Sequence, residues 1–446
     1  MKALLILLAG LAAALVAPKA ATRKTDEVVL WPPGQADQHD IPSSVDSWDA
    51  LLYRDGFMRA IAAAEKQEEL SIFDPKDDEH KHHDHDGDHK HPGHGHDGDH
   101  DHHTHKTIYQ ILKTSPHTTR FAALVDDHPE IIKLLNTTSS KNHTLLLPSD
   151  RAFSHIPPDH HRPPASYLLS LLTYHILPGL YPSHRLRRLT TAPTNLTLSS
   201  LGHHPQRLRL FTLPLPFSHT TINFHARITR PNVRASNGLI HILDALLLPP
   251  PPITKIFELL PGTFSTLSLA LERTGLGSEL EDTPFRGGVA FAPSNAAWRR
   301  LGPRANAFLF GTERGKECLK ALVKYHLVGN RTVYSDEYYG EEKAEVEGHH
   351  GGGYWHVDVP SLLEERPLAV DVRKWKGLVG IVVNGRHRVV VRDGVAKDGV
   401  VQVLGSVLIP PHKGGDDGVV EGEIEVEELV ERLKGWMGEE EEVGDL

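Results

Sequence analysis

The feature that most constrains this fold is an internal repetition. The segment Thr144-Leu-Leu-Leu-Pro-Ser-Asp-Arg-Ala-Phe153 recurs as Val289-Ala-Phe-Ala-Pro-Ser-Asn-Ala-Ala-Trp298, with Pro148 and Pro293 standing 145 positions apart. Further on, Tyr174-His175 recurs as Tyr325-His326, 151 apart. Asn237-Gly-Leu-Ile-His-Ile-Leu-Asp-Ala-Leu-Leu-Leu-Pro249 then recurs as Asp398-Gly-Val-Val-Gln-Val-Leu-Gly-Ser-Val-Leu-Ile-Pro410, 161 apart. Three matches in one order, with a spacing that only grows, describe a tandem duplication with insertions. A solenoid is excluded, because its period is about 20 to 50 residues. Two units follow, at 106–250 and 252–411, joined by the extended prolines Pro249 to Pro252.

Each unit opens on a helical pattern: Ile108, Tyr109, Ile111 and Leu112 before Phe121, Leu124 and Ile131, and Ile256, Phe257, Leu259 and Leu260 before Leu267 and Leu271. A strand carrying Pro-Ser-Asp or Pro-Ser-Asn comes next, then a helix ending in Tyr-His, then strands. Ile381 to Val391 places β-branched runs around Asn384-Gly385 and predicts a hairpin. Helices followed by strands describe an α+β class rather than alternating α/β.

These residues resemble the fasciclin-type extracellular domain, over about two thirds of the chain. The segments around Pro148, Ser149 and Asp150 and around Pro293, Ser294 and Asn295 are similar to that family's first signature box. The strand bearing His241 and Asp244 is similar to its second, and Tyr174-His175 and Tyr325-His326 to its adhesion-associated dipeptide. The resemblance implies a compact β-wedge with packed helices in each unit, of the fungal secreted or vacuolar type. It also implies a role in adhesion, matrix organisation or surface display without catalysis, with a cell-surface or matrix protein or a glycan as partner.

The residues have a reading of their own. Ser149, Asp150, Ser294 and Asn295 offer short side-chain oxygens to the free N–H groups of the next helix, whose first buried contact is Phe153 or Trp298. His241, with apolar neighbours on a strand, is expected to donate a hydrogen bond inside the core. Leu172, Ile176, Val323 and Leu327 flank the Tyr-His pairs and favour packing over receptor contact. The second copy has Gln402 for His241 and Gly405 for Asp244, so its internal polar network must differ.

Before the first unit, Lys2 and an apolar run from Ala3 to Ala17 read as a signal peptide over 1–17, too short to span a bilayer at about 20 residues. An uncleaved anchor is the alternative. Asn136, Asn142, Asn195 and Asn330 each begin an Asn-X-Thr sequon, expected on exposed turns of a glycosylated protein. The expected destination is extracellular or the cell wall, with the vacuole lumen as the alternative. Over 18–76, Trp48, Leu51, Leu52, Met58 and Ile61 suggest an amphipathic helix with a break at Gly56.

From 77 to 105 the chain alternates Asp and Gly with His80, His82, His83, His85, His89, His91, His94, His96, His100, His102, His103 and His105, without one large apolar side chain. Such a tract cannot offset the entropy of ordering and is expected to be disordered. Its imidazoles suit zinc or copper, which makes a luminal metal-binding protein the competing function. The bland reading is a solvated spacer that gains charge as pH falls through about 6.5.

Other classes are disfavoured by composition and motif. The net charge is −10, and Glu421 to Leu446 holds eleven acidic and two basic residues, so the body is nearly neutral and lacks the basic surface that nucleic acid requires. Cys318 is the single cysteine, so an intrachain disulfide is impossible, and a buried thiol is expected. No nucleophile elbow, phosphate loop, zincin helix or Arg-Gly-Asp tripeptide occurs. Over 412–446, Val426, Leu429, Val430, Leu433 and Trp436 predict a short amphipathic helix before an acidic end.

Overall fold

The computed structural model describes residues 54–62, 105–138, 142–155, 163–212, 219–282, 285–339, 353–363, 366–375, 378–411 and 423–436. The leader and the histidine tract up to His103 lie outside the described residues.

Each unit is built on a seven-stranded sheet with one parallel pair, a single strand in from one edge. In the first unit strand His143–Pro148 runs parallel to Gly238–Leu243, in register from His143 against Gly238 to Pro148 against Leu243. In the second, Gly288–Pro293 runs parallel to Gly399–Leu404 in the same register, from Gly288 against Gly399 to Pro293 against Leu404. The two repeated boxes are therefore neighbours in space, although about 90 residues of chain separate them in the first unit and about 105 in the second. Both parallel strands of the second pair are buried throughout, as a strand covered on both faces must be. Gly238 and Gly399 open the second strand in each pair because nothing larger fits: a Cβ there would lie 1.9 Å from the His143 carbonyl oxygen or 2.1 Å from that of Gly288.

The order of strands across the first sheet is 176–178, 143–148, 238–243, 226–235, 221–222, 205–211, 191–197. Helices Ile108–Thr114, Thr119–Asp126, Pro129–Asn136 and Ala165–Tyr174 pack on it. Two apolar clusters result, one formed with the helices around Ile108, Phe121, Leu145 and Ile240, the other around Leu146, Leu177, Leu208 and Ile222. The alternation Leu145, Leu146, Leu147 on one strand serves both clusters in turn. The second unit repeats this with helices Ile253–Leu259, Pro261–Thr274, Asn295–Arg300, Pro303–Gly311 and Glu313–Tyr325. The hairpin at Asn384-Gly385 forms with φ of 50° and 72° at its two turn residues, the values a type I′ turn needs.

Helix Val426–Leu433 lays Leu429 and Leu433 on helices 303–311 and 313–325. Residues 54–62 are helical through Gly56, which does not break them. Gly56 instead allows a close approach, since a Cβ would stand 2.9 Å from the Phe224 Cβ. Phe57, fully buried, lies 4.6 Å from the Phe224 ring of the first unit and 6.4 Å from the Phe264 ring of the second. This short helix thus fills the angle between the units.

Candidate functional site

Both Tyr-His dipeptides end a helix and point inward. In the first unit the His175 Nδ1–H donates to the Leu171 carbonyl at 2.8 Å, and its Nε2 accepts the Leu247 N–H at 3.1 Å. In the second, His326 donates to Leu322 at 2.8 Å and accepts from Leu408 at 2.8 Å. Each ring ties its own helix to the segment leaving the last strand, and each tautomer is fixed by these two partners. Burial lowers both imidazoles from 6.5 to about 4, so they are neutral at physiological pH. The Tyr174 hydroxyl donates to the Arg207 carbonyl at 3.2 Å and accepts from Asn223 Nδ2 at 2.7 Å, while Asn384 Nδ2 donates to the Tyr325 hydroxyl at 2.9 Å. All four side chains are buried, and none reaches the surface.

The signature boxes supply further internal bonds. Ser294 caps helix 295–300 by accepting the Ala297 N–H at 3.2 Å. Asp150 and Asn295 do not serve the following helix as expected. Asp150 reaches back to the start of helix 119–126, accepting from the Arg120 N–H at 2.9 Å and the Thr119 hydroxyl at 3.0 Å. Asn295 likewise accepts from the Thr266 N–H at 3.0 Å. The turn after Ser149 in the first unit is a 3-10 segment, Asp150–His155, closed by the Ser149 backbone carbonyl accepting from Ala152. Asp244 accepts the Arg227 N–H at 2.7 Å, and at its counterpart the Gly405 carbonyl accepts from Arg300 at 2.7 Å.

The exchange of His241 for Gln402 preserves one pattern with two chemistries. His241 donates from Nε2 to the Tyr181 carbonyl at 2.8 Å and accepts the Asn232 N–H on Nδ1 at 3.3 Å. Gln402 donates from Nε2 to the Val333 carbonyl at 2.9 Å and accepts the Asp393 N–H on Oε1 at 3.0 Å. Asn232 and Asp393 both hold positive φ, 61° and 59°, so the two bulges are the same device. Burial lowers the His241 pKa; the glutamine does the same work without titrating.

Between the units lies a polar seam that the sequence did not announce. Asp336 of the second unit accepts from the Thr190 and Thr191 N–H groups, at 3.3 and 2.9 Å, and from the Thr191 hydroxyl. Arg207 of the first unit is buried beside it, 3.6 Å from Asp336 and 3.5 Å from Glu337, and donates to the Tyr339 hydroxyl at 3.1 Å. Arg209 donates to the Arg392 carbonyl at 2.9 Å, and Gln206 to that of Ala396 at 3.1 Å. Ser335 bridges the Thr190 hydroxyl, at 2.7 Å, and the buried Asp393 carboxylate. In sequence, Arg207-Leu-Arg209 reads as an ordinary alternating strand, and only a partner surface could have distinguished it.

Of the four sequons, Asn136 is exposed at a helix end and Asn330 is exposed on a turn with φ of 59°. Asn142 and Asn195 are half-buried, Asn195 within strand 191–197, which departs from the expectation of exposed turns. Among the described residues no group of three His, Cys, Asp or Glu side chains is placed to hold a metal, and His105, the described end of the tract, is exposed. No helix among them is long and apolar enough to cross a membrane. Cys318 is buried, and burial pushes its thiol up to about 11, far from a reactive thiolate. The outer face of the second sheet carries exposed Tyr354 and Leu378, with His356 held between Asp371 at 2.9 Å and Asp358 at 3.4 Å.

Comparison with known proteins agrees with this repeated construction. The chain is 29% identical over 329 residues to aurofusarin biosynthesis cluster protein S of Gibberella zeae, covering 70% of this chain and 79% of that protein. It is 24% identical over 247 residues to a fasciclin-like arabinogalactan protein of Arthroderma benhamiae, covering 52% of this chain and 55% of that one. A solved pair of domains from the insect cell adhesion molecule fasciclin I matches over 68% of this chain and 95% of its own, at 17% identity and a TM-score of 0.32. The fasciclin domain matches residues 116–249 and again 262–410, and the chain belongs to that family, with two such domains in tandem.

Proposed function

We propose that this is a non-catalytic binding protein of the secretory route, which holds a cell-surface or matrix protein or a glycan on the joint outer surface of its two fasciclin domains. The observation that carries the reading is the use made of the polar side chains. The family's Tyr-His dipeptides and box residues satisfy backbone groups inside each unit. Asp336 and Arg207 join the units across the seam. The surface that can meet a partner is the outer one, which includes the exposed Leu378 and the partly exposed ring of Tyr354, whose hydroxyl donates to Asp371 at 2.6 Å. The family's link to adhesion and the expected leader support this class. The extracellular space or cell wall is the proposed destination, with the vacuole lumen as the alternative.

A second reading is favoured by the relative named for a biosynthesis cluster, which this chain spans over most of its length. Here the same surface serves enzymes working in the lumen or outside the cell. Retention of the purified full-length chain on cell-surface preparations tests the first reading, and co-purification with a biosynthetic enzyme tests the second. Retention that survives Tyr354→Ala with Leu378→Ala would move the contact off that face. The metal reading rests on the histidine tract alone. Zinc calorimetry on the intact chain and on a deletion of 77–105, at about pH 7 and 5.5, supports it only if binding is tight, lost with the tract and weaker in acid.

A further inference from the structure

A cleft of about 330 Å³ opens between the two units, lined by Leu201, Gly202 and His204 from the first and by Arg286, Asn330, Thr332 and Tyr339 among others from the second. Its size falls at the small end of ligand sites, about 300 to 1,000 Å³. Three observations single it out. The His204 and Tyr339 rings stack at 4.4 Å with 9° between their planes, giving the wall an aromatic surface assembled from both units. The Thr332 hydroxyl is fully buried and has no hydrogen-bond partner. The exposed Arg286 guanidinium stands on the same wall. A stacked ring surface, a buried hydroxyl and a guanidinium together suit a neutral polyhydroxylated ring, whose C–H face packs on the rings and whose hydroxyls pair with the polar groups.

Asn330 supplies such a ring in place. It begins the sequon Asn330-Arg-Thr332, is exposed at φ of 59°, and itself lines the cleft. Asn136, the other exposed acceptor, sits at the end of helix 129–136 and already accepts the Thr107 hydroxyl at 2.7 Å. We propose that Asn330 carries an N-linked glycan whose first N-acetylglucosamine seats in this cleft and bridges the two units. The reading rests on passage through the glycosylating lumen. There the Asn330 amide nitrogen displaces a lipid pyrophosphate from C1 of the oligosaccharide donor. The C1–O bond breaks, the N–C1 bond forms, the amide loses one proton, and the lipid pyrophosphate leaves without any change of oxidation state. Thr332 then has two uses: its hydroxyl completes the sequon in the unfolded chain, and in the folded protein it faces the sugar.

The test is site-resolved glycopeptide mass spectrometry on the full-length chain secreted from a eukaryotic host, with peptide-N-glycosidase release timed on native and denatured protein. The expected result is that Asn330 is occupied and that its glycan is released at least tenfold more slowly from native than from denatured protein. Arg286→Ala and His204→Ala, each at the cleft rim, should remove most of that protection while secretion continues. An unmodified Asn330 with glycans at other sequons overturns the proposal and leaves the secretory route standing. Equal release from native and denatured protein overturns it as well. Four unmodified sequons on a chain retained in the cytosol would remove both the proposal and the route.

Discussion

Acid should loosen this protein through its buried imidazoles, and His326 allows the size of the effect to be worked out. Its two hydrogen bonds require the neutral ring, and burial lowers its pKa from 6.5 to about 4. A folded-state pKa depressed below the unfolded one means that the stabilisation is complete above about pH 6.5 and is lost as pH falls toward about 4. At about 1.36 kcal/mol per decade, His326 alone accounts for about 2 kcal/mol between pH 6.5 and 5, and about 3 kcal/mol by pH 4. The perturbation is His326→Gln, which copies the exchange the protein already makes between His241 and Gln402. Replacing the ring should cost about 1 to 3 kcal/mol at pH 7.5 through poorer hydrogen-bond geometry. That deficit should shrink by about 2 kcal/mol at pH 5, because the glutamine does not titrate.

Urea unfolding followed by tryptophan fluorescence reads mainly the second unit, since Trp298 is buried there, Trp355 and Trp375 also belong to it, and residues 106–250 contain no tryptophan; Trp31 and Trp48, ahead of both units, are replaced by phenylalanine in parent and variant alike. Other titrating groups, such as His175 and Asp398, act equally on parent and variant and cancel in the difference. A deficit that stays constant from pH 7.5 to 5, with unchanged denaturant slopes, would refute the reasoning.

Asp398 is buried, accepts the Ile253 N–H at 2.9 Å, and is raised by burial from 3.8 to about 6. Its ionised form therefore costs on the order of 3 kcal/mol at neutral pH, a cost relieved as pH falls through about 6 and gone below the unfolded value. The first unit uses Asn237 for the same bond to Ile108, so Asp398→Asn should stabilise by about 1 to 3 kcal/mol at pH 7.5 and lose that advantage near pH 4; an effect independent of pH contradicts this. Phe57→Ala empties the angle between the units and should cost about 3 to 5 kcal/mol, with faster hydrogen exchange around Phe224 and Phe264; unchanged exchange at both would show that the helix is not held there. Asp336→Ala removes one of the two carboxylates beside the buried Arg207 and the acceptor of the Thr190 and Thr191 N–H groups; it should cost about 3 to 5 kcal/mol, and calorimetry should show the two units melting separately where the parent melts as one. A single unshifted transition would mean that the seam does not couple them.

The repeated architecture was legible because each unit's two most recognisable strands are adjacent, so the pattern that marks the family is also the pattern that builds the parallel pair of each sheet. The burial of Tyr-His was legible too, from the leucines and valines flanking it. What the sequence concealed were partners brought together by folding. Asn223 and Asn384 occupy equivalent turns with φ of 45° and 50° and hydrogen-bond the two tyrosines, yet Asn384 reads locally as hairpin chemistry alone. Asp150 and Asn295 look like caps for the helix ahead, and their choice of the helix behind depends on tertiary packing. The seam was wholly hidden, because Asp336 and Arg207 are about 130 residues apart and each sits in an ordinary local pattern.

The central claim is that the family's dipeptides shape the fasciclin pair and that its outer surface does the binding. The most direct measurement is retention of the full-length chain on cell-surface preparations, comparing the parent with Tyr174→Phe/Tyr325→Phe after circular dichroism has shown both folded. Equal retention is predicted, since the substitution removes two buried hydroxyls and alters no exposed group. No retention of the parent, or its loss in a folded double variant, would contradict the account.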